Sequence, residues 1–81
     1  MDLEYRTRNL GFAAFLLARN APIPDIRGKR GAAEFVFADE QGSLGAEWRE
    51  FQADTPVPVQ QYLWAHREIR AQMERKFGPR Q

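Results

Sequence analysis

Leu3-Glu4-Tyr5-Arg6 alternates apolar and charged positions, the period of a half-buried strand. From Arg8 to Arg19 the period lengthens. Leu10, Ala13, Ala14, Leu17 and Ala18 recur at helical spacing, and Phe12, Phe15 and Leu16 widen the apolar arc until it nearly closes. A helix apolar nearly all round is either the buried centre of a domain or carries one face for a partner. Thr7 is the predicted N-cap. Gly11 costs about 1 kcal/mol relative to alanine inside a helix, which points to close approach by another element. Asn20 suits the left-handed residue that ends a helix, and Ala21-Pro22 stops it.

The next pattern is a hairpin. Ala32 to Ala38 has the aromatic and β-branched content of a strand, with Ala33, Phe35 and Phe37 on one face and Glu34 and Val36 on the other. Its partner runs from Ile23 to Gly28, and the tip is Gly28-Lys29-Arg30-Gly31. Pro22 and Pro24 lack ladder donors, so this first strand belongs at an edge or is irregular. Asp39 to Ser43 is a turn in which Asp39 or Ser43 caps a helix over Leu44 to Gln52, with Leu44, Trp48 and Phe51 on its apolar side. Asp54-Thr55-Pro56-Val57-Pro58 breaks that helix, and Val57 between prolines is extended, with room for a short edge strand. Pro58 or Val59 opens a last helix reaching about Phe77, on which Val59, Leu63, His66, Ile69 or Arg70, Met73 and Phe77 follow the helical period. Arg75, Lys76 and Arg80 complement the dipole at its end, and Gly78-Pro79 terminates it. The sum is an α+β domain of order β-α-β-β-α-α, an antiparallel hairpin sheet packed against three helices.

Quoted together, Tyr5-Arg6-Thr7, the Ala-Ala-containing helix from Leu10 to Leu17, the strand end Phe35-Val36-Phe37, the aromatic helix with Trp48 and Phe51, and Val57-Pro58-Val59 form a pattern along most of the chain. It resembles a small phage- and prophage-associated domain family of unknown function. The resemblance implies a mobile-element context and brings no catalytic or binding residues with it.

Length and composition narrow the class. Eighty-one residues make a single domain with a small core. Its ten aromatic residues are spread over every predicted element, which argues against disorder. No cysteine is present, so disulfides, thiolate chemistry and cysteine-based zinc sites are excluded. The acidic start Met1-Asp2-Leu3-Glu4 is unlike the basic head of a signal peptide. The longest apolar run, Leu10 to Ala18 broken only by Gly11, falls short of the about 20 residues a membrane span needs. The expectation is a soluble cytoplasmic protein with no membrane partner.

Charge is unevenly placed. Residues 1–31 carry +3, residues 32–58 carry −5 and residues 59–81 carry +3. Catalytic chemistry finds little support. His66 is the sole histidine and Ser43 the sole serine, so no Cys–His pair forms and no nucleophile elbow surrounds the serine. Asp39-Glu40 and Glu47/Glu50 are paired carboxylates, but a turn and a solvated helix face are their ordinary homes. No enzyme, metal or cofactor is expected.

Two binding readings remain. Arg27, Lys29 and Arg30 at a glycine-bounded tip, with Arg67 and Arg70 on the last helix, are candidates for phosphate contacts to DNA or RNA. Hairpin tips are also commonly charged for solvation alone, and Glu68 and Glu74 interrupt the basic helix. If the tip and the last helix share one side, the nucleic-acid reading gains. The alternative is a protein-binding module, a homodimer or a regulator of a host protein, with Phe12, Leu16 and Arg19 facing outward on the first helix and the acidic middle segment opposite a basic partner.

Overall fold

The structure, a computed structural model, describes residues 4–78. Leu3, Pro79 and Arg80, which figured in the sequence reading, lie outside them. The element order is β1 (Glu4–Thr7), α1 (Leu10–Ala18), β2 (Asp25–Arg27), β3 (Glu34–Ala38), a 3-10 turn (Leu44–Ala46), α2 (Glu47–Gln52) and α3 (Val59–Phe77). The fold is therefore α+β with the predicted order. The strands form one antiparallel sheet, β1-β3-β2, with β3 in the centre. The molecule is 18 Å across its thinnest direction, the depth of a sheet and one helical layer.

Local chemistry sets the borders. Thr7 stays in the ladder opposite Phe35, so it does not cap α1 as the sequence suggested. Its hydroxyl accepts the Asn9 N–H (3.1 Å), and the Asn9 side-chain oxygen accepts the Phe12 N–H (3.0 Å), which makes Asn9 the N-cap. At the other end Asn20 has φ +73°. Its N–H bonds to the Leu17 carbonyl and the Ala21 N–H to that of Leu16, the paired closure that a left-handed residue permits. β2 is shorter than expected. Pro22 and Pro24 supply no donor, and Ile23 lies outside the ladder, half exposed. Val57 forms no strand; its side chain packs against the core. Asp39 does cap the turn into the second helical segment, accepting the Ser43 N–H at 2.9 Å.

The sheet's two faces divide as the alternation requires. Tyr5, Ile26, Phe35 and Phe37 face the helices. Val36, buried at 3% exposure, lies on the other face between Arg6 and Asp25. There Arg6 pairs with Glu4 (3.2 Å) and Glu34 (3.6 Å), and Arg27 with Glu4 (3.3 Å) and Asp25 (3.2 Å). The aliphatic stems of these charged residues cover the valine while their heads stay in water.

α1 is the buried centre. All seven residues from Phe12 to Ala18 are buried, and this corrects the expectation that Phe12 and Leu16 face outward: they are 0% and 1% exposed. The reason is aromatic packing from several sides. The Phe12 ring meets Trp48 (centroids 5.0 Å apart), Phe51 (5.3 Å) and Tyr5 (6.0 Å), which arrive from α2 and β1. Arg19, the third residue of that group, is exposed but is held over the Phe15 ring and beside Glu47.

Phe12→Ala is expected to cost about 3–5 kcal/mol, read as a fall in the urea midpoint, enough to leave a domain of this size largely unfolded. Two glycines should behave oppositely. A Cβ at Gly11 meets only ordinary contacts, the nearest 3.4 Å away, so Gly11→Ala is expected to be neutral or to stabilise by up to about 1 kcal/mol through helix propensity. At Gly28, with φ +90°, a Cβ would lie 2.5 Å from the Ala32 carbonyl oxygen. Gly28→Ala is expected to lower the midpoint clearly and to broaden the β2–β3 amide signals.

Candidate interaction surface

The hairpin loop from Gly28 to Ala33 turns back on itself through the Ala32 N–H, which donates to the Lys29 carbonyl at 2.8 Å. That fold carries Arg30 to the far end of α3. Its Nη2 donates to the carbonyls of Phe77 (2.9 Å) and Gly78 (2.6 Å). The last carbonyls of a helix have no intrahelical partner and form the negative pole of its dipole, so a guanidinium there satisfies both demands. The tip and the last helix therefore share one side of the molecule.

Between them lies a hollow of about 510 Å³, walled by Leu10, Met73 and Phe77 and edged by Arg30, His66, Arg70 and Glu74. The three apolar walls are partly buried and rest on the core. Arg70 is exposed and, among the described residues, has no ion pair.

The five predicted cations thus have different fates. Arg30 and Arg70 meet at the hollow. Arg67 is exposed one turn earlier on α3, and Lys29 is exposed at the tip. Arg27 is on β2 instead, hydrogen-bonded to Asp25 and attracted by Glu4, and both interactions hold its pKa above the ordinary arginine value. Its charge is already matched by carboxylates on the sheet's outer face.

The face of α3 was misread from the sequence in one respect. Val59 and Leu63 follow the helical period of the predicted apolar stripe, yet they are 65% and 45% exposed, and Trp64 beside them is 48% exposed. The residues of α3 buried in the core are Ala65 and Ile69. At 3.6 residues per turn, Leu63 and Ile69 are about 120° apart around the axis, so both cannot point inward. The signal that separates them is size. Ala13 and Ala14 on α1 and Ala65 on α3 are all fully buried, and small residues favour the close packing of the two helices, which turns Leu63 out.

The remaining sequence candidates are engaged elsewhere. Leu16 floors a second hollow, of about 490 Å³, whose edge includes Arg19, Asp39, Glu40 and Glu47. Arg19 Nε and Glu47 Oε2 are 2.6 Å apart there, close but without hydrogen-bond alignment, for that oxygen is buried with no hydrogen-bond partner. Glu50 accepts the Thr55 hydroxyl at 2.6 Å. His66 lies beside Tyr62, their ring centroids 6.2 Å apart. Among the described residues, no three His, Cys, Asp or Glu side chains gather as metal ligands, and no helix is long and apolar enough to cross a membrane.

Compared with models of known protein families, with curated proteins and with solved structures, the chain gives no match.

The Arg30 bonds should be measurable on their own. Arg30→Ala is expected to cost about 1 kcal/mol, since the bonds are charge-assisted but solvent-exposed. It should speed amide exchange at residues 74–78 and in the hairpin loop together, while β1 is unaffected.

Proposed function

We infer that the chain is a non-enzymatic protein-binding module that works through the outward face of α3. The observation that carries this is the exposure of Val59, Leu63 and Trp64 on the first half of one helix, next to Arg67 and Arg70. Grouped exposed apolar residues mark interaction sites, and tryptophan and arginine dominate the energetic centres of protein interfaces. Phe12 and Leu16 have no surface to offer, so the exposed apolar face is that of α3. The resemblance to phage- and prophage-associated domains supports a host or mobile-element protein as the partner.

A nucleic-acid reading is favoured by one fact, that Arg30 and Arg70 edge the same hollow. It is weakened by two others: Arg27 is matched by acids, and Glu68 and Glu74 lie among the cations of α3. Lys29, Arg30, Arg67 and Arg70 could make four phosphate contacts, which predicts a logarithmic salt slope of about −3.6.

The test is a photo-crosslinking amino acid placed at Arg67, or at exposed Gln41 as a control, with the protein expressed in a bacterial host. A discrete, nuclease-resistant protein adduct from position 67, absent from position 41 and removed by Trp64→Glu, is the expected result. Trp64→Glu is expected to cost about 2 kcal/mol, the burial of the covered half of the ring, so a urea midpoint is recorded beside the crosslink to show that the variant is folded. Failure to form that adduct, together with DNA binding that falls steeply between about 50 and about 200 mM salt, would replace the protein reading with the nucleic-acid one.

A further inference from the structure

We propose that the hollow between the hairpin tip and α3 seats an acidic peptide segment with an apolar anchor: the anchor lies against Leu10, Met73 and Phe77, and a neighbouring carboxylate is held by Arg70 with Arg30. The proposal rests on the protein-binding reading and specifies the partner's chemistry.

Volume, charge and reach each point the same way. A hollow of about 510 Å³ is within the range of small-ligand sites, a few hundred to about 1,000 Å³, so it admits an anchoring side chain with part of its backbone. Its walls rest on the core, so they are in place before a ligand arrives.

The edge selects the sign of the ligand. Arg30 and Arg70 oppose a single carboxylate, Glu74. Arg30 is also fixed in position. Two of its five N–H donors are spent on the helix-end carbonyls, and the other three remain for a ligand. A side chain already immobilised loses little entropy when a carboxylate binds. Arg70 can pair bidentately with the same group. Glu74, four residues on, lines the same edge without pairing to Arg70 among the described residues, and its charge repels an incoming carboxylate.

The third feature is length. Val59, Leu63, His66, Arg70, Met73 and Phe77 follow one another at helical spacing along a 19-residue helix, a stripe about 27 Å long at 1.5 Å per residue. The hollow occupies one end of that stripe and the exposed Val59 and Leu63 the other. A small metabolite would fill the hollow without reaching Val59 and Leu63. A polypeptide segment would use both.

The probe is a fluorescein-labelled synthetic 16-residue peptide (about 24 Å long if helical) with leucines at helical spacing among glutamates. A matched peptide with lysine in place of glutamate is the control. Binding to the full chain is followed by fluorescence anisotropy and by NMR of the methyl groups and the arginine Nε–H signals. The glutamate peptide is expected to shift the Met73 and Leu10 methyl signals and the Arg70 Nε–H. It should bind about tenfold more tightly than the lysine peptide. Arg70→Gln should weaken it by about tenfold and Glu74→Gln should tighten it by about threefold, the scale of one charge-assisted contact. Both substitutions are at exposed positions, so folding is preserved and the opposite signs are readable.

Shifts confined to Leu63 and Trp64, indifferent to both variants, would overturn the hollow as the anchor site and leave the α3 reading standing. Equal binding of the two peptides would overturn the charge selection. No binding at millimolar peptide would overturn the proposal; the position-67 adduct then decides whether the α3 reading falls with it. If a DNA oligonucleotide produces the same shifts more strongly, the hollow is a phosphate site and the peptide proposal is wrong.

Discussion

Everything in this domain follows from the need to cover α1. A helix with seven consecutive buried apolar residues has no side it can leave in water, so elements must close on it from every direction. β1 brings Tyr5, the second helical segment brings Trp48 and Phe51, and α3 packs along it. A chain of this size has few elements to spend. The sheet has three strands, the edge strand β2 has three residues, and α2 has six. Such short pieces are marginal alone and persist because they cover a common apolar helix.

That demand also fixes which surface is left over. α3 is long enough to serve the core with one sector and still expose Val59, Leu63 and Trp64 on another. The outer sheet face is different in kind. There the ion pairs of Arg6 and Arg27 mask Val36 and return the sheet to a neutral, solvated surface. The two faces of the molecule thus differ in how far their apolar groups are concealed.

The elements were readable in the chain because local pattern and tertiary demand agreed. The alternation in β1 and β3, the all-round apolar α1, Asn20 as its terminator and Asp39 as a cap each carried their own signal. What could not be read depended on contacts made at long range. Nothing local says that Arg30 bonds to residues 47 and 48 positions away, or that Arg27 meets Glu4 across the sheet. The phase of α3 was hidden for a related reason. Val59 and Leu63 follow the helical period as well as Met73 and Phe77 do, but side-chain volume at the α1 contact turns the inner face toward Ala65 and Ile69, which leaves Met73 and Phe77 at its border and Val59 and Leu63 outside. Phe12 and Leu16 show the converse: an apolar surplus reads equally as a buried centre or a partner's surface, and the elements that close on α1 decide for the first.

The bond from Arg30 to the end of α3 has a kinetic meaning as well. It joins positions 47 residues apart, so in the unfolded chain it encloses more than half of the sequence, and the entropy of closing so long a loop is recovered only after the intervening elements have collapsed. It belongs among the late contacts of folding. The hollow it borders then exists as a distinct cavity only in chains that have completed folding.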